Sequence, residues 1–486
     1  MKRVFFLFLL GRAVGAWAVP APEPLAPQPL AKGQGQVIER RVTKEEGAKL
    51  LDPKTGLKAP VLDLQKAYEL ALLRSETLGL REQDVRIAEA QYWQALGAIL
   101  PNVHGLVSNS FSNNNSSSSG SFNSSGNNSG SSDSNSGGSN SVSNSSSNRS
   151  NRFADWDQVE ARINVKQPIF SGFRDFNTMG AIKATTEANR QTVVRTRQTL
   201  YLDVADVFYQ ILSYERDLGV LEKLQTALSD RAGELDRRIK LGKSRASEQL
   251  TAQTDLADAR VTVESVKGLL GASKELAAFL TGVPAAELKL SEQKAFPGVE
   301  AVEAYLQGSG ERPDVLAAVQ RERAARKQLA AARGEHFPVI SLEGNYFVKE
   351  PRSSDREWNF FLTLDVPIFE GGAIEARVRE NKALVRQSEL NLSQLQRTAD
   401  KDVRTAYNDF IASVAQFLRL KELVQTSEET YTVQKNDYGR GVSSNLDVLD
   451  ALRKYEEAER RLLSQEMQAR VNLVRLHVAA GRAGSL

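Results

Sequence analysis

The residues able to do chemistry form a short inventory. The chain has no cysteine, which removes thiolate metal sites, thiol nucleophiles, disulfides and lipid attachment through sulfur. His104, His336 and His477 are scattered over the chain, so no His-based metal or acid–base site is expected. No P-loop-type glycine loop and no G-x-S-x-G motif is present, and the sequence offers no enzyme and no cofactor site. What stands out is a spacing of acids. Asp447 and Asp450 lie three apart, on one helix face, just past Gly441. Ser247 and Glu248 follow Gly242 in the same way. Acids at a helix start cap it or complement its dipole, which accounts for Glu248 and Asp447 but less well for Asp450, one turn further in.

The elements that must position these acids are long. The 486 residues would suggest about three domains by length alone. Yet aromatics are only 7%, prolines 15, and Ala, Leu, Arg, Glu and Gln dominate long stretches, the profile of extended helices. Lys2 and Arg3, the apolar run Val4 to Leu10 and Ala16-Trp17-Ala18 make residues 1–18 an export signal with cleavage after Ala18. Its removal takes Lys2, Arg3 and Arg12 and leaves 60 basic against 60 acidic side chains, so charge makes no case for nucleic acid. Residues 19–60 begin with alternating prolines and read as a periplasmic linker, with a short helix allowed over Val37 to Leu51. No later window has 18 uncharged apolar residues; a membrane-spanning part must be a closed β-barrel.

The chain is also written twice. Gln167-Pro168-Ile169-Phe170-Ser171-Gly172 recurs 199 positions later as Val366-Pro367-Ile368-Phe369-Glu370-Gly371. The same offset joins Asp203 to Asp402, Gly242 to Gly441 and Gly282 to Gly481. Upstream, Leu100-Pro101 matches Phe337-Pro338 at an offset of 237. The extra 38 positions fall in a tract from Ser112 to Asn151, where 36 of 40 residues are Ser, Asn or Gly. This assigns residues 61–282 to a first repeat, 283–312 to a connector and 313–486 to a second repeat.

Each repeat carries two period-two stretches, at about 101–111 and 157–169, then about 338–349 and 357–368. Val159, Ala161, Ile163 and Val165 alternate with Glu160, Arg162, Asn164 and Lys166, a polar face suited to a wet lumen. Trp156 and Trp358 at the strand starts suit an interfacial aromatic belt. Four such strands are too few to close a barrel, since about eight are needed, and lipid forbids open edges. The strands must be pooled among copies of the chain. The Ser/Asn/Gly tract joins two strands and reads as an extracellular loop. Proline-free runs over 172–241 and 371–440 read as helices of ~105 Å, each followed past a glycine turn by a second helix, 246–281 and 445–480.

The duplicated plan, the Pro-Ile-Phe-x-Gly junctions, and Tyr438-Gly439-Arg440-Gly441 followed by Asn445-Leu446-Asp447-Val448-Leu449-Asp450-Ala451 resemble the TolC-type outer-membrane efflux protein family. The resemblance runs from about Leu62 to Gly481. It implies a mainly α protein with membrane β: a homotrimer whose four strands per protomer make a twelve-stranded barrel, continuous with a periplasmic α-helical barrel, the connector lying in an equatorial band. It implies an exit duct in the outer membrane of a Gram-negative-type bacterium, serving multidrug efflux or type I secretion with an inner-membrane pump and a periplasmic adaptor. It further implies that Asp447 and Asp450 form acidic rings at the periplasmic entrance. Glu248 and Ser247 match polar tip residues, and Tyr438 matches a tyrosine that ties neighbouring helices in the closed state. The basic residue of some members two positions after the tip glycine is Ser443 here, with Arg440, Lys243 and Arg245 nearby. The competing reading is an exported periplasmic adaptor or a coiled-coil structural protein without a pore, which would leave the paired strands unexplained.

Overall fold

A computed structural model describes residues 61–109, 159–291, 300–349 and 357–482. The export signal, the proline-rich linker, the Ser/Asn/Gly tract and Trp156 lie outside the described residues. The elements in chain order are β1 (Val61–Leu62), α1 (Leu64–Arg74), α2 (Glu76–Gly97), β2 (Asn102–Asn109), β3 (Val159–Ser171), α3 (Arg174–Lys240), α4 (Ala246–Thr281), β4 (Lys289–Leu290), α5 (Val302–Leu306), α6 (Pro313–Gly334), β5 (Val339–Lys349), β6 (Trp358–Asp365), α7 (Ala373–Arg440) and α8 (Asn445–Ala479). The chain is thus mainly helical. No helix among the described residues is long and apolar enough to cross a membrane.

The chain divides into two compact units, and α3 and α7 contribute to both. In the unit made of residues 75–197 and 302–405, β2, β3, β5 and β6 form one antiparallel sheet in that order. The register sorts side chains by polarity. Val103, Val107, Ile163, Val165, Leu342, Tyr346, Trp358, Phe360, Leu362 and Leu364 share one face, and all but Val165 are exposed. The opposite face carries Arg162, Asn164, Lys166, Glu343, Asn345, Asn359 and Asp365, with Leu106, Phe347 and Phe361 among them. Across it runs an amide relay: the Asn164 side chain donates to Glu343 at 2.7 Å and to Asn345 at 2.8 Å, and Asn345 donates to Asn359 at 3.0 Å. An apolar face left open beside a more polar face bound by an amide relay is the inverse of a soluble sheet.

The two Pro-Ile-Phe segments differ. The strand expected at about 157–169 runs on to Ser171, because β5 pairs it to the end, Ser171 facing Val339 with a bulge between Pro168 and Phe170. The expected strand to residue 368 stops at Asp365. Pro367 and Phe369 lie outside it, and no strand among the described residues stands beside β6 other than β5. A strand without a partner for its N–H and C=O groups is not held extended.

The helices begin later than expected, at Arg174 and Ala373, because Gly172 and Gly371 turn the chain at φ +65° and +62°. Gly172 lies against the end of α6: a Cβ there would meet the Gly334 oxygen at 2.1 Å, and a Cβ on Gly334 would meet the Gly172 oxygen at 2.4 Å. In the same unit α2 binds α3 through Glu89–Arg190 at 2.8 Å, and α6 binds α7 through Arg326–Glu389 at 3.3 Å. Buried Arg312 is held by Asp314 at 2.7 Å and Asp402 at 3.1 Å. Burial opposes its charge, and the hydrogen bonds and charges of both acids outweigh that, raising its pKa.

The other unit comprises residues up to 74, 198–301 and from 406 onward. Its core sets Ala67 and Ala71 of α1 against Leu200, Val204, Phe208 and Leu212 of α3 and Met467, Val471, Val474 and Val478 of α8. The three-to-four spacing of these residues makes an apolar stripe on each helix. β1 and β4 pair in parallel, and Leu62 and Leu288 close a second cluster on Val207, Ile211 and Ala277. Charged pairs run along α3 and α8: Asp206–Arg475 at 3.1 Å, Arg216–Glu466 at 2.9 Å and Asp217–Arg460 at 2.5 and 2.9 Å.

Gly334→Ala is expected to destabilise by about 1–3 kcal/mol, since the added carbon has no space against the Gly172 backbone. A melting curve in detergent checks this, with Gly79→Ala, where the space is open, unchanged or slightly raised.

Candidate functional site at the helix tips

The tips of the four long helices carry most of the residues expected to matter. Each hairpin turns through the same motif. The Gly242 N–H donates to Ile239 and the Lys243 N–H to Arg238, both at 2.8 Å; the Gly441 N–H donates to Tyr438 at 3.0 Å and the Val442 N–H to Asp437 at 2.9 Å. This pair of bonds closes a helix only where the residue after it accepts positive φ, and Gly242 and Gly441 sit at +70° and +80°.

Past Gly441 the acids part company. Asp447 closes a capping box: its backbone N–H donates to the Ser444 hydroxyl at 3.3 Å while its carboxylate accepts from the Ser444 N–H at 3.0 Å. The Ser444 hydroxyl and then its backbone N–H hold the Asp447 carboxyl below the usual range. Ser443 donates to Gln434 at 2.6 Å and to Asp447 at 3.2 Å, which ties the turn to α7. Asp450 has no part in the cap. It is exposed and pairs with Lys454 at 2.8 Å, a surface pair worth little. Glu248 accepts from Ser244 at 2.5 Å, and Ser247 is exposed, as are Lys243, Arg245 and Arg440.

Tyr438 is buried, with the Arg231 guanidinium 3.9 Å and the Arg238 guanidinium 4.5 Å from its ring centre. Arg231 also donates to Asn445 at 2.9 Å and to Glu234 at 2.8 Å. Asn445, almost wholly buried, reaches the Glu248 carbonyl at 3.4 Å. One arginine thus joins α3, α7, α8 and the start of α4. The sequence reading passed over Arg231 and Asn445. Their signal was faint: Arg231 and Arg238 are seven apart, on one face of α3, and Asn445 directly follows the capping serine. Beneath them Leu235, Leu256, Leu449 and Leu452 form the apolar floor.

About three turns into α8, Glu456 is 6% exposed, and its Oε2 has no hydrogen-bond partner. Burial first, then the Glu459 charge, raise its pKa to about 7 against the pull of Arg460 and Lys223. Asp255, which pairs with Arg453, is the other buried acid of this layer. No group of three His, Asp or Glu among the described residues could hold a metal ion.

The comparisons with known proteins agree with one another. The outer membrane efflux protein family model matches residues 307–482. The outer membrane protein TolC of Vibrio cholerae is 23% identical over 345 residues, 67% of this chain and 77% of that one. A probable efflux pump outer membrane protein, TtgC of Pseudomonas putida, is 25% identical over 334 residues, 63% of this chain and 67% of that one. The crystal structure of a membrane protein from Pseudomonas aeruginosa superposes with a TM-score of 0.72 at 21% identity, covering 88% of this chain and 94% of that one.

The sign of the Glu456 effect follows from its raised pKa. Folded Glu456 keeps its proton up to pH 7, whereas the unfolded residue loses it near 4.5. Its ionisation therefore removes stability as pH rises from 4.5 to 7, on the order of 3 kcal/mol in all. Glu456→Gln is expected to melt higher than the parent at pH 8 and level with it below pH 4.5, in parallel melts followed by circular dichroism.

Proposed function

We infer that this chain, which belongs to the outer membrane efflux protein family, is an outer-membrane channel through which an efflux system discharges its cargo. The observation that carries the reading is the sheet: its apolar face is exposed and its polar face is internally hydrogen-bonded. Lipid satisfies the first and water the second. The outer membrane of a Gram-negative bacterium is the compartment where such sheets stand, and the rest of the chain then reaches into the periplasm.

Three finer statements belong to this reading. The first is the internal duplication. It is supported by equal element lengths, 67 against 68 residues for α3 and α7 and 36 against 35 for α4 and α8, and by positive φ at Gly172, Gly242 and Gly282 and again at Gly371, Gly441 and Gly481. An inverted ion pair supports it too: Glu89 and Arg190 occupy the positions that Arg326 and Glu389 hold one repeat later, with the charges exchanged. The second is the trimer. Edges β2 and β6 have no partner among the described residues, and three four-stranded sheets make a closed barrel of twelve. The third is the partnership with a periplasmic adaptor and an inner-membrane pump. The chain holds no energy-coupling chemistry, so the driving force must come from another protein; whether drugs, other small molecules or a secreted polypeptide pass is set by that partner. The Ser/Asn/Gly tract is then an extracellular loop, and the tips form the periplasmic entrance, with Asp447 and Asp450 as its acidic rings, Glu248, Ser247 and Ser443 beside them and Tyr438 locking the hairpins.

Native mass measurement in mild detergent is expected to give three chains, and a stable monomer would reject the barrel. At the entrance, Asp447→Asn with Asp450→Asn is expected to weaken cation preference and block by trivalent cations in planar-bilayer recordings, with assembly intact. If Asp447 only caps α8 and Asp450 only pairs with Lys454, the same change lowers the melting temperature slightly and leaves the current unaltered.

A further inference from the structure

Between its bonds to α3, α8 carries one buried residue that its surroundings leave unsatisfied. Leu449, Leu452, Glu456 and Arg460 follow one another at three-to-four spacing, on one stripe of α8. Leu449 and Leu452 join Leu228 and Leu235 of α3 and Leu256 of α4 in the apolar floor. Arg460 is held by Asp217 of α3 through both Nε and Nη2, at 2.5 and 2.9 Å. Glu456 lies between them. The leucines have no donor to offer, the arginine fork is taken, and Oε2 is left without a hydrogen bond. The charged groups around it come from all four tip helices. α8 itself brings Glu459 and Arg460, and α3 brings Lys223. α4 brings Asp255, which Arg453 holds. α7 brings Glu428 to the adjacent Tyr455, whose ring stacks on Tyr431 at 6.3 Å. Nothing in the repeat calls for an acid here, since the matching position of α4 is Ala257. A leucine would continue the stripe without an orphaned polar atom, so packing does not account for Glu456.

We propose that Glu456 is a proton-operated latch of the tip: protonated, it lets α8 close on α3 between the Asn445–Arg231 and Arg460–Asp217 bonds; ionised, it draws water into that contact and releases the tip of α8. The bidentate Arg460–Asp217 pair, one turn beyond Glu456, is the fixed point. Asn445 stands 11 positions before Glu456, about 16 Å along the helix, so a small tilt at the latch is a large displacement at the Arg231–Asn445 bond. The direction of the pH effect follows from burial. In the closed contact Glu456 keeps its proton to about pH 7, whereas in water it gives the proton up near 4.5. The released form binds fewer protons, so rising pH favours it. The equilibrium shifts toward release by up to about tenfold per pH unit from 4.5 to 7 and levels off above 7. Lys223 and Arg460 favour the carboxylate and Glu459 opposes it, so these three set where on the pH scale the latch works.

As a control of an entrance the latch rests on the channel reading, and two measurements keep the two apart. In planar-bilayer recordings the parent is expected to have an opening equilibrium up to about twentyfold larger at about pH 7.5 than at about pH 5.5. Glu456→Gln, neutral throughout, is expected to open equally rarely at both. Lys223→Gln removes a charge that favours the carboxylate and is expected to move the transition to higher pH. Hydrogen exchange of the full chain in mild detergent, corrected for the chemical rate at each pH, reads the contact itself. The amides of 445–456 are expected to lose protection over the same pH range in the parent and to keep it in Glu456→Gln. Protection in the parent that does not change with pH, or a Glu456→Gln protein that follows the parent in exchange or in current, would overturn the latch. Protection lost with pH only in the parent, but no current from either protein, would support the release of α8 and reject the channel.

Discussion

In the proposed channel, an open β-edge in lipid is the constraint on which the rest of the molecule depends. Each unpaired N–H or C=O in hydrocarbon costs several kcal/mol, so a sheet with one lipid-type face cannot stop at four strands. The same sheet in water would expose its row of Trp358, Phe360, Leu362 and Leu364 and would aggregate. In the proposed barrel, closure with other copies satisfies both faces and both edges. β6 ends at Asp365 although the sequence beyond it repeats a strand, and among the described residues β6 is paired only by β5.

Along the helices the interactions change kind. Long helices are unstable alone and must be held along their length. In one unit this falls to the Arg312 cluster and the inverted pairs Glu89–Arg190 and Arg326–Glu389; in the other, to the α1–α3–α8 core and a ladder of arginine–carboxylate bonds. Ion pairs between helices are individually modest. They are directional, however, and fix which residue of one helix stands beside which residue of the next. That is the property long paired helices need, because apolar stripes alone permit sliding by a turn.

The tips combine rigidity with polarity. The Schellman turns, the capping box and the Arg231–Tyr438–Asn445 node tie four helices locally. Asp447 is drawn into its own helix cap, whereas Asp450 is left exposed beside Lys454. The two acids are therefore unequal: one is pre-bound within the protomer, and the other has only a mobile surface partner to give up.

Much of this was legible in the residues themselves. Period-two and helical patterns, the 199-position repeat, the tip glycines and the strand-bearing polarity are all local or self-similar signals, and local backbone preference together with side-chain alternation determines them. What the sequence left open was decided by neighbours distant in the chain. The order β2-β3-β5-β6, the Asn164–Asn345–Asn359 relay, the contact of Gly172 with Gly334 and the Arg231–Asn445 bond each join segments far apart in sequence. The side chains involved are common types with no spacing of their own. Only when the helices and strands lie side by side do an asparagine on α8 and an arginine on α3 become partners, because hydrogen bonding depends on distance and direction in space, which one-dimensional periodicity does not carry.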